Sequence, residues 1–307
     1  MHEGALTAGQ QEAHSGSVVV FYFPDDACVE RANLLARKTR CVVVDNTPDQ
    51  YVVAGLDSAV CYLPNGKNVG VATALNQGVE RLREEAYATA LLFDQDSSPS
   101  DTLIRELPQL LGELQRRGER VAIVAPAYDD PRLGGVADFV RFRPFVLKRI
   151  PATGEEPIDV DFVITSGSCI ALDCWPSVGP MDDALFIDFV DLEWCIRAKH
   201  KGYRVLGVPW ITMEHELGGE PVRLLGRPYP MHSPLRHYYL FRNAIELFRR
   251  AYVPLAWKLT ELCKLPVRLV IYLCIPTDRM KHFGMALKGI QDGVLRRLGP
   301  YSDAGSR

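Results

Sequence analysis

Short apolar runs alternate with amphipathic stretches along most of the chain. Residues 17–23 form a β-rich run broken by Pro24 and Asp25, and residues 27–38 follow with helical periodicity. A second apolar run, 41–44, ends at Asp45-Asn46, and a third, near 59–63, runs into Pro64-Asn65-Gly66. The segment 68–78 leads into a helix ending near Glu85, a strand through Leu91-Leu92-Phe93 stops at Asp94, a helix spans 101 to about 117, and residues 121–124 form the next strand. Strand, helix and strand in this order imply a parallel sheet with flanking helices.

Residues 127–157 interrupt the alternation with prolines, glycines and mixed charge, and read as a long excursion with a strand pair around 139–148. The apolar run 160–164 predicts another strand, stopping in Thr165-Ser166-Gly167-Ser168. Helical spacing takes over from Val190, which predicts a helix beginning near Asp188 and closed by Lys201-Gly202-Tyr203, with a further strand at 204–208. The polar leader, 1–16, is expected to be disordered. Residues 17–230 then make one α/β unit, divided into a nucleotide-binding half up to 126 and a second half from 127, and 231–307 form a helical C-terminal region.

Candidate chemistry gathers where strands end. Asp94-Gln95-Asp96 follows an apolar strand and precedes Ser97-Ser98-Pro99, which places two carboxylates at a strand's C-terminal end, where open α/β sheets bind ligands. Asp94 and Asp96 project to the same side of an extended chain and so can face one ion. Hard oxygen donors of this kind suit Mg2+ or Mn2+ carrying a substrate phosphate, although an isolated Asp-x-Asp also occurs in solvated loops. The small residues from Asn68, Gly70 and Ala72 to Asn76 and Gly78 open a helix, where they allow either a phosphate or the neighbouring sheet to come close. Asp188 and Asp191 start the later helix, as a site or as simple capping. His215 follows Met213-Glu214 and would be structural unless a metal lies nearby.

Composition narrows the classes. At 307 residues the chain can bury a full core, its 47% hydrophobic and 24% charged content is ordinary for a globular protein, and a net charge of -3 gives no reason to expect nucleic acid. The eight cysteines include no Cys-x-x-Cys pair and lie partly inside apolar runs, so they read as reduced core residues with no structural zinc. Residues 1–16 lack a signal-peptide pattern, which makes a cytoplasmic location the expectation.

Together these stretches resemble family 2 of the inverting glycosyltransferases, with the GT-A fold, and within it the bacterial rhamnosyltransferase branch. The matching residues are Val44-Asp45-Asn46, Asn68-Val69-Gly70 through Asn76-Gln77-Gly78, Phe93-Asp94-Gln95-Asp96-Ser97, Phe189-Val190-Asp191-Leu192-Glu193-Trp194 with Arg197, and His232-Ser233-Pro234 with Arg236, Tyr238-Tyr239 and Arg242-Asn243. The resemblance implies a mostly parallel Rossmann-like sheet flanked by helices, with a helical appendage. It implies that Asp191 is the catalytic base, that Asp94, Asp96 and His215 hold the divalent cation, and that Asp45, Asn68, Gly70, Asn76, Asp94 and Gln95 line the nucleotide-sugar site. The implied donor is dTDP-L-rhamnose and the implied acceptor a saccharide, carried on polyprenyl diphosphate, in cell-surface polysaccharide assembly. Three departures stand out: Phe21-Tyr22-Phe23-Pro24 lacks the family's asparagine after the first strand, Val190-Asp191 replaces Glu-Asp, and no Gln-x-x-Arg-Trp is present. A single-addition enzyme therefore fits better than a processive synthase, with a catalytically idle nucleotide-sugar-binding protein as the alternative.

Residues 254–275 are apolar but interrupted by charges, and the charge-free run 269–277 is too short for a membrane span of about 20 residues. Amphipathic helices on a membrane surface are expected there, with Leu255, Leu259 and Leu262 on one face; packing on the domain or a homodimer contact is the alternative.

Overall fold

A computed structural model describes residues 14–48, 53–133, 135–214, 222–224, 227–229, 231–274 and 277–302. The first half runs through β1 (Ser15–Phe21), α1 (Asp26–Ala36), β2 (Arg40–Asp45), β3 (Cys61–Pro64), α2 (Val71–Glu84), β4 (Thr89–Asp94), α3 (Asp101–Arg116) and β5 (Val121–Asp130). The excursion holds β6 (Gly135–Val136), β7 (Phe139–Arg143), β8 (Val146–Ile150) and β9 (Ile158–Asp159). Then follow β10 (Cys169–Ala171), α4 (Trp175–Val178), α5 (Val190–His200), β11 (Arg204–Glu214), β12 (Val222–Leu224), β13 (Arg227–Tyr229), α6 (Pro234–Arg249), α7 (Leu255–Cys274) and α8 (Arg279–Val294).

Local chemistry starts these helices. Asp25 accepts from the Cys28 amide at 2.8 Å, Ser100 from Leu103 at 3.1 Å and Ser233 from Arg236 at 3.3 Å, each satisfying an amide that has no partner inside its own helix. Pro234 adds a pre-set φ at the first position of α6.

The sheet order is β3-β2-β1-β4-β10-β5-β11-β9, with β6 paired to β5. β3, β2, β1 and β4 pair in parallel, as do β5 and β11, whereas β10 is antiparallel to both β4 and β5 and β9 is antiparallel to β11. The register pairs Phe21 with Asp45 and Val20 with Asp94, so the C-terminal ends of β1, β2 and β4 share one rim. Gly78 of α2 lies so close to β1 that a Cβ there would sit 2.2 Å from Val18 Cγ1. That glycine serves helix–sheet packing.

The alternation of elements matches the sequence expectation, with instructive exceptions. Ser15 and Gly16, expected in the leader, already belong to β1, because their backbone pairs with Thr89 and Ala90. Residues 160–164 form no named strand; the strand lies later, at Cys169–Ala171, and inserts antiparallel into the middle of the sheet. β5 and β11 run further than their apolar cores, to Asp130 and Glu214, because they pair with each other across a bulge. Helix α5 begins at Val190, which leaves Asp188 outside it with φ +63°.

The C-terminal helices pack on the α/β core. α6 and α8 approach closely because α8 presents glycines: a Cβ on Gly289 would meet the Tyr238 carbonyl oxygen at 2.3 Å, and one on Gly293 the Arg242 carbonyl oxygen at 2.9 Å. The buried Asp292 between them accepts from the Tyr238 hydroxyl at 3.0 Å and Lys288 at 3.1 Å. Gly289→Ala is expected to cost about 1–3 kcal/mol in urea unfolding, because the obstructing atom is backbone. Gly284→Ala, on the same helix with nothing within 4 Å of its Cβ, should be neutral or stabilising by about 0.5–1 kcal/mol.

Candidate active site

Two acidic groups meet at the C-terminal rim of the sheet. The first is Asp94, the last residue of β4, whose amide donates to Ser166 Oγ at 3.3 Å while its carbonyl accepts from the Ser97 amide at 3.1 Å. Ser97 and Ser166 hydroxyls lie 2.7 Å apart. This closes the turn after β4 against the segment entering β10 and leaves Asp96 exposed. The second group is Asp191, in the first turn of α5.

The segment that delivers Asp191 is unusual. Phe186, Asp188 and Phe189 adopt left-handed φ values of +66°, +63° and +63°, a conformation that costs a non-glycine residue about 1–3 kcal/mol. A fully buried pair on α6 holds it. Asn243 donates to the carbonyls of Leu185, Ile187 and Asp188 at 3.0, 2.7 and 3.0 Å. Arg242 donates to the carbonyls of Ala184 and Leu185 at 3.1 and 2.8 Å, to Gly299, and to Asn243 Oδ1 at 2.9 Å. From the other side the Phe186 carbonyl accepts from the Val71 amide at 2.8 Å, and its ring stacks on Tyr239 at 4.9 Å.

The electrostatics couple the groups. Burial pushes the Asp191 carboxyl up to about 6, against the Leu192 and Thr165 amides that stabilise its ionised form, and the charges of Asp188 and Asp94 push the same way. Leu192 donates to Asp191 Oδ1 at 2.7 Å. Arg236, at the start of α6, donates to Asp188 Oδ1 at 2.7 Å. Burial disfavours its charge, but Asp188, Asp94 and Asp191 together outweigh that and raise its pKa. The neighbouring Glu193 is spent structurally: Arg197 grips it at 2.8 and 2.9 Å, and Tyr252 and Arg250 complete the buried cluster.

The expected nucleotide-side residues are drawn to the rim but carry contacts within the protein. Asp45 accepts from the Thr47 amide at 2.8 Å and the Tyr62 hydroxyl at 2.6 Å, and burial with that contact raises the Tyr62 pKa. Asn68 caps the Gly70 amide at 3.0 Å, and Gln95 accepts from the Tyr22 amide at 2.7 Å. Gly70 and Asn76 differ from the expectation of a phosphate at the start of α2. The Phe186 carbonyl covers that helix end, a Cβ on Gly70 would strike Phe186 at 2.6 Å, and Asn76 binds Met181 O at 2.8 Å and Asp183 at 2.7 Å. His215 lies outside the described residues.

Asp94 and Asp96 would supply the one or two carboxylates that Mg2+ or Mn2+ commonly takes from a protein when phosphates complete its shell, so the donor chemistry fits. Among the described residues no cluster of three or more His, Cys, Asp or Glu could hold a metal alone. Ser166, the Thr165 amide and the ligands of Arg242 and Asn243 were not assigned from the sequence. The signals there were the Ser233-Pro234 cap that starts their helix and the place of Arg242-Asn243 among the residues that carry the resemblance, and neither says what the helix touches.

No family model matches the chain. It is 28% identical over 287 residues, 91% of its length and 94% of the relative's, to dTDP-rhamnosyl transferase RfbF of Shigella flexneri. Among solved structures it resembles GalNAc-T7 with UDP, GalNAc and Mn2+ at TM-score 0.58 and 14% identity, covering 92% of this chain and 56% of that one. It also resembles S. aureus TarS 1-349 in complex with UDP-GlcNAc at TM-score 0.50 and 12% identity, over 92% and 82% of the two chains. The chain thus spans about half of GalNAc-T7, and these structural likenesses identify the fold as GT-A.

The raised Asp191 carboxyl predicts a pH-dependent effect on stability. Its ionisation is penalised in the folded chain, a cost absent below about pH 4, where the group is protonated folded or unfolded, and complete above about pH 6. Asp191→Asn should therefore stabilise the protein by about 1–3 kcal/mol above pH 6 and by little near pH 4, as read from denaturant melts at both ends.

Proposed function

We propose that this chain, a glycosyltransferase of the bacterial rhamnosyltransferase type on the GT-A fold, moves one sugar from a nucleotide-sugar donor to a saccharide acceptor with inversion. The donor is read as dTDP-L-rhamnose, after the full-length similarity to RfbF. The acceptor is read as a saccharide on polyprenyl diphosphate, used in cell-surface polysaccharide assembly. The observation that supports the reading is that Asp94, at the C-terminal end of β4, and Asp191, nearly a hundred residues later in the first turn of α5, lie near enough for the charge of Asp94 to help push the Asp191 carboxyl up.

In this mechanism Asp191 accepts the proton of the acceptor hydroxyl as that oxygen attacks the anomeric carbon from the face opposite the departing nucleoside diphosphate. One displacement inverts the centre, and a base placed this way contributes about 10² to 10⁴ in rate. A carboxyl poised near 6 is ionised at neutral pH yet more basic than an ordinary aspartate. Asp94 and Asp96, with His215 by resemblance, would hold a divalent cation, which when bound offsets the charge developing on the leaving diphosphate. Asp188 and Arg236 keep the surroundings of Asp191 charged and ordered.

Asp191→Asn should lower transfer by about 10² to 10⁴ while leaving donor binding in place, in an assay of released dTDP beside calorimetry of the donor. A near-wild-type rate would remove Asp191 from the role. Donor binding with no turnover by the unmodified chain, across saccharide acceptors, would instead indicate an idle binding protein. Asp96→Asn should weaken donor binding in the presence of Mn2+ and leave metal-free binding unchanged. The rate should fall about tenfold per pH unit below about pH 6, as Asp191 takes up its proton.

A further inference from the structure

The outer face of α7 is apolar at helical spacing. Positions 255, 259, 262, 266, 270 and 273, each three or four apart, are Leu, Leu, Leu, Pro, Val and Leu, and all are exposed. The aliphatic ones keep 36–60% of their surface in water. Trp257, Glu261, Leu265, Ile271 and Tyr272 of the same helix are buried, so the stripe is what remains after α7 has packed on the protein.

The charge around the stripe is predominantly positive. The sole acid of α7, Glu261, is turned inward and paired with Lys264 at 3.2 Å and Arg268 at 2.5 Å. Residues 255–297 contain eight Lys and Arg against three acids, in a chain whose net charge is -3. Of those acids Glu261 and Asp292 are buried, and Asp278 is exposed. The hairpin β7–β8 packs against α7, with Phe142 joining the α7 cluster. Its turn and outer strand expose Arg143, Phe145, Val146, Lys148 and Arg149, with Phe145 75% exposed.

We propose that the outer face of α7, extended by the β7–β8 turn, docks on an anionic lipid bilayer. No helix among the described residues is long and apolar enough to cross a membrane. A helix with an apolar stripe and a cationic surround lies in the plane of the interface, its leucines and valines among the acyl chains and its cations at the headgroups. A second copy of the chain would bring the same cationic surround against itself, whereas anionic headgroups neutralise it. Trp257, on the opposite side of α7, meets the Phe189 ring edge-on at 5.4 Å beside the catalytic segment. The docked surface and the site are thus separated by about one helix diameter, roughly 10 Å.

The test is flotation of the full chain with vesicles of phosphatidylcholine, with and without phosphatidylglycerol, in the absence of sugar nucleotide and acceptor. Asp191→Asn is run alongside, so the result does not depend on whether the chain transfers sugar. The expected result is binding to the anionic vesicles that weakens with salt. Leu262→Asp with Val270→Asp should reduce it about tenfold or more, and Lys148→Gln about fivefold. These positions are exposed, so thermal melting should stay unchanged, and Lys148→Gln serves as the measure if the double variant melts early. Absence of binding to both vesicles, or equal binding by wild type and variants, overturns the proposal. So does a dimer, seen by light scattering, that the double variant converts to monomer, because a second copy would then occupy the face.

Discussion

Everything at the site depends on a fully buried Asn-Arg pair reading backbone carbonyls. Asn243 and Arg242 stand in α6 and donate to the carbonyls of residues 184, 185, 187 and 188. A segment with three left-handed non-glycine residues would otherwise relax, since each costs about 1–3 kcal/mol. Hydrogen bonds from a charged donor, at about 1.5–3 kcal/mol each, are of the size needed to offset that strain. The outcome is that α5 starts at Val190 with Asp191 in its first turn, so the C-terminal helices help to build the candidate site.

The sheet supplies the other half. Parallel pairing of β1, β2 and β4 puts Asp45 and Asp94 on one rim. The antiparallel strand β10 then brings Ser166 under the Asp94 turn and the Thr165 amide to Asp191. One short strand thereby ties both acids to a common frame.

Environment sorts acids that spacing alone treats alike. Glu193, two residues from Asp191, is neutralised by Arg197, Arg250 and Tyr252 and stabilises the start of α5. Asp188 is matched to Arg236. Asp191 has amides as its partners and a carboxyl raised toward neutrality, the condition a base needs.

The sequence by itself determined the alternation of strands and helices from β1 to β5, the carboxylates at the end of β4 and the acid in the first turn of α5. Those features rest on hydrophobic period, turn residues and helix caps, which act within a few residues. Only the tertiary structure decided that Asp188 lies outside the helix, that β10 enters the sheet antiparallel, and that Gly70 and Asn76 anchor the 181–186 segment. It likewise showed the job of Gly289 and Gly293, close contact with α6, and which face of α7 stays in water. Each of these depends on contacts such as Asn76 to Asp183 or Asn243 to Leu185, between residues more than fifty positions apart. Local periodicity carries no record of such pairings, because the energy that selects them exists only once the chain has closed on itself.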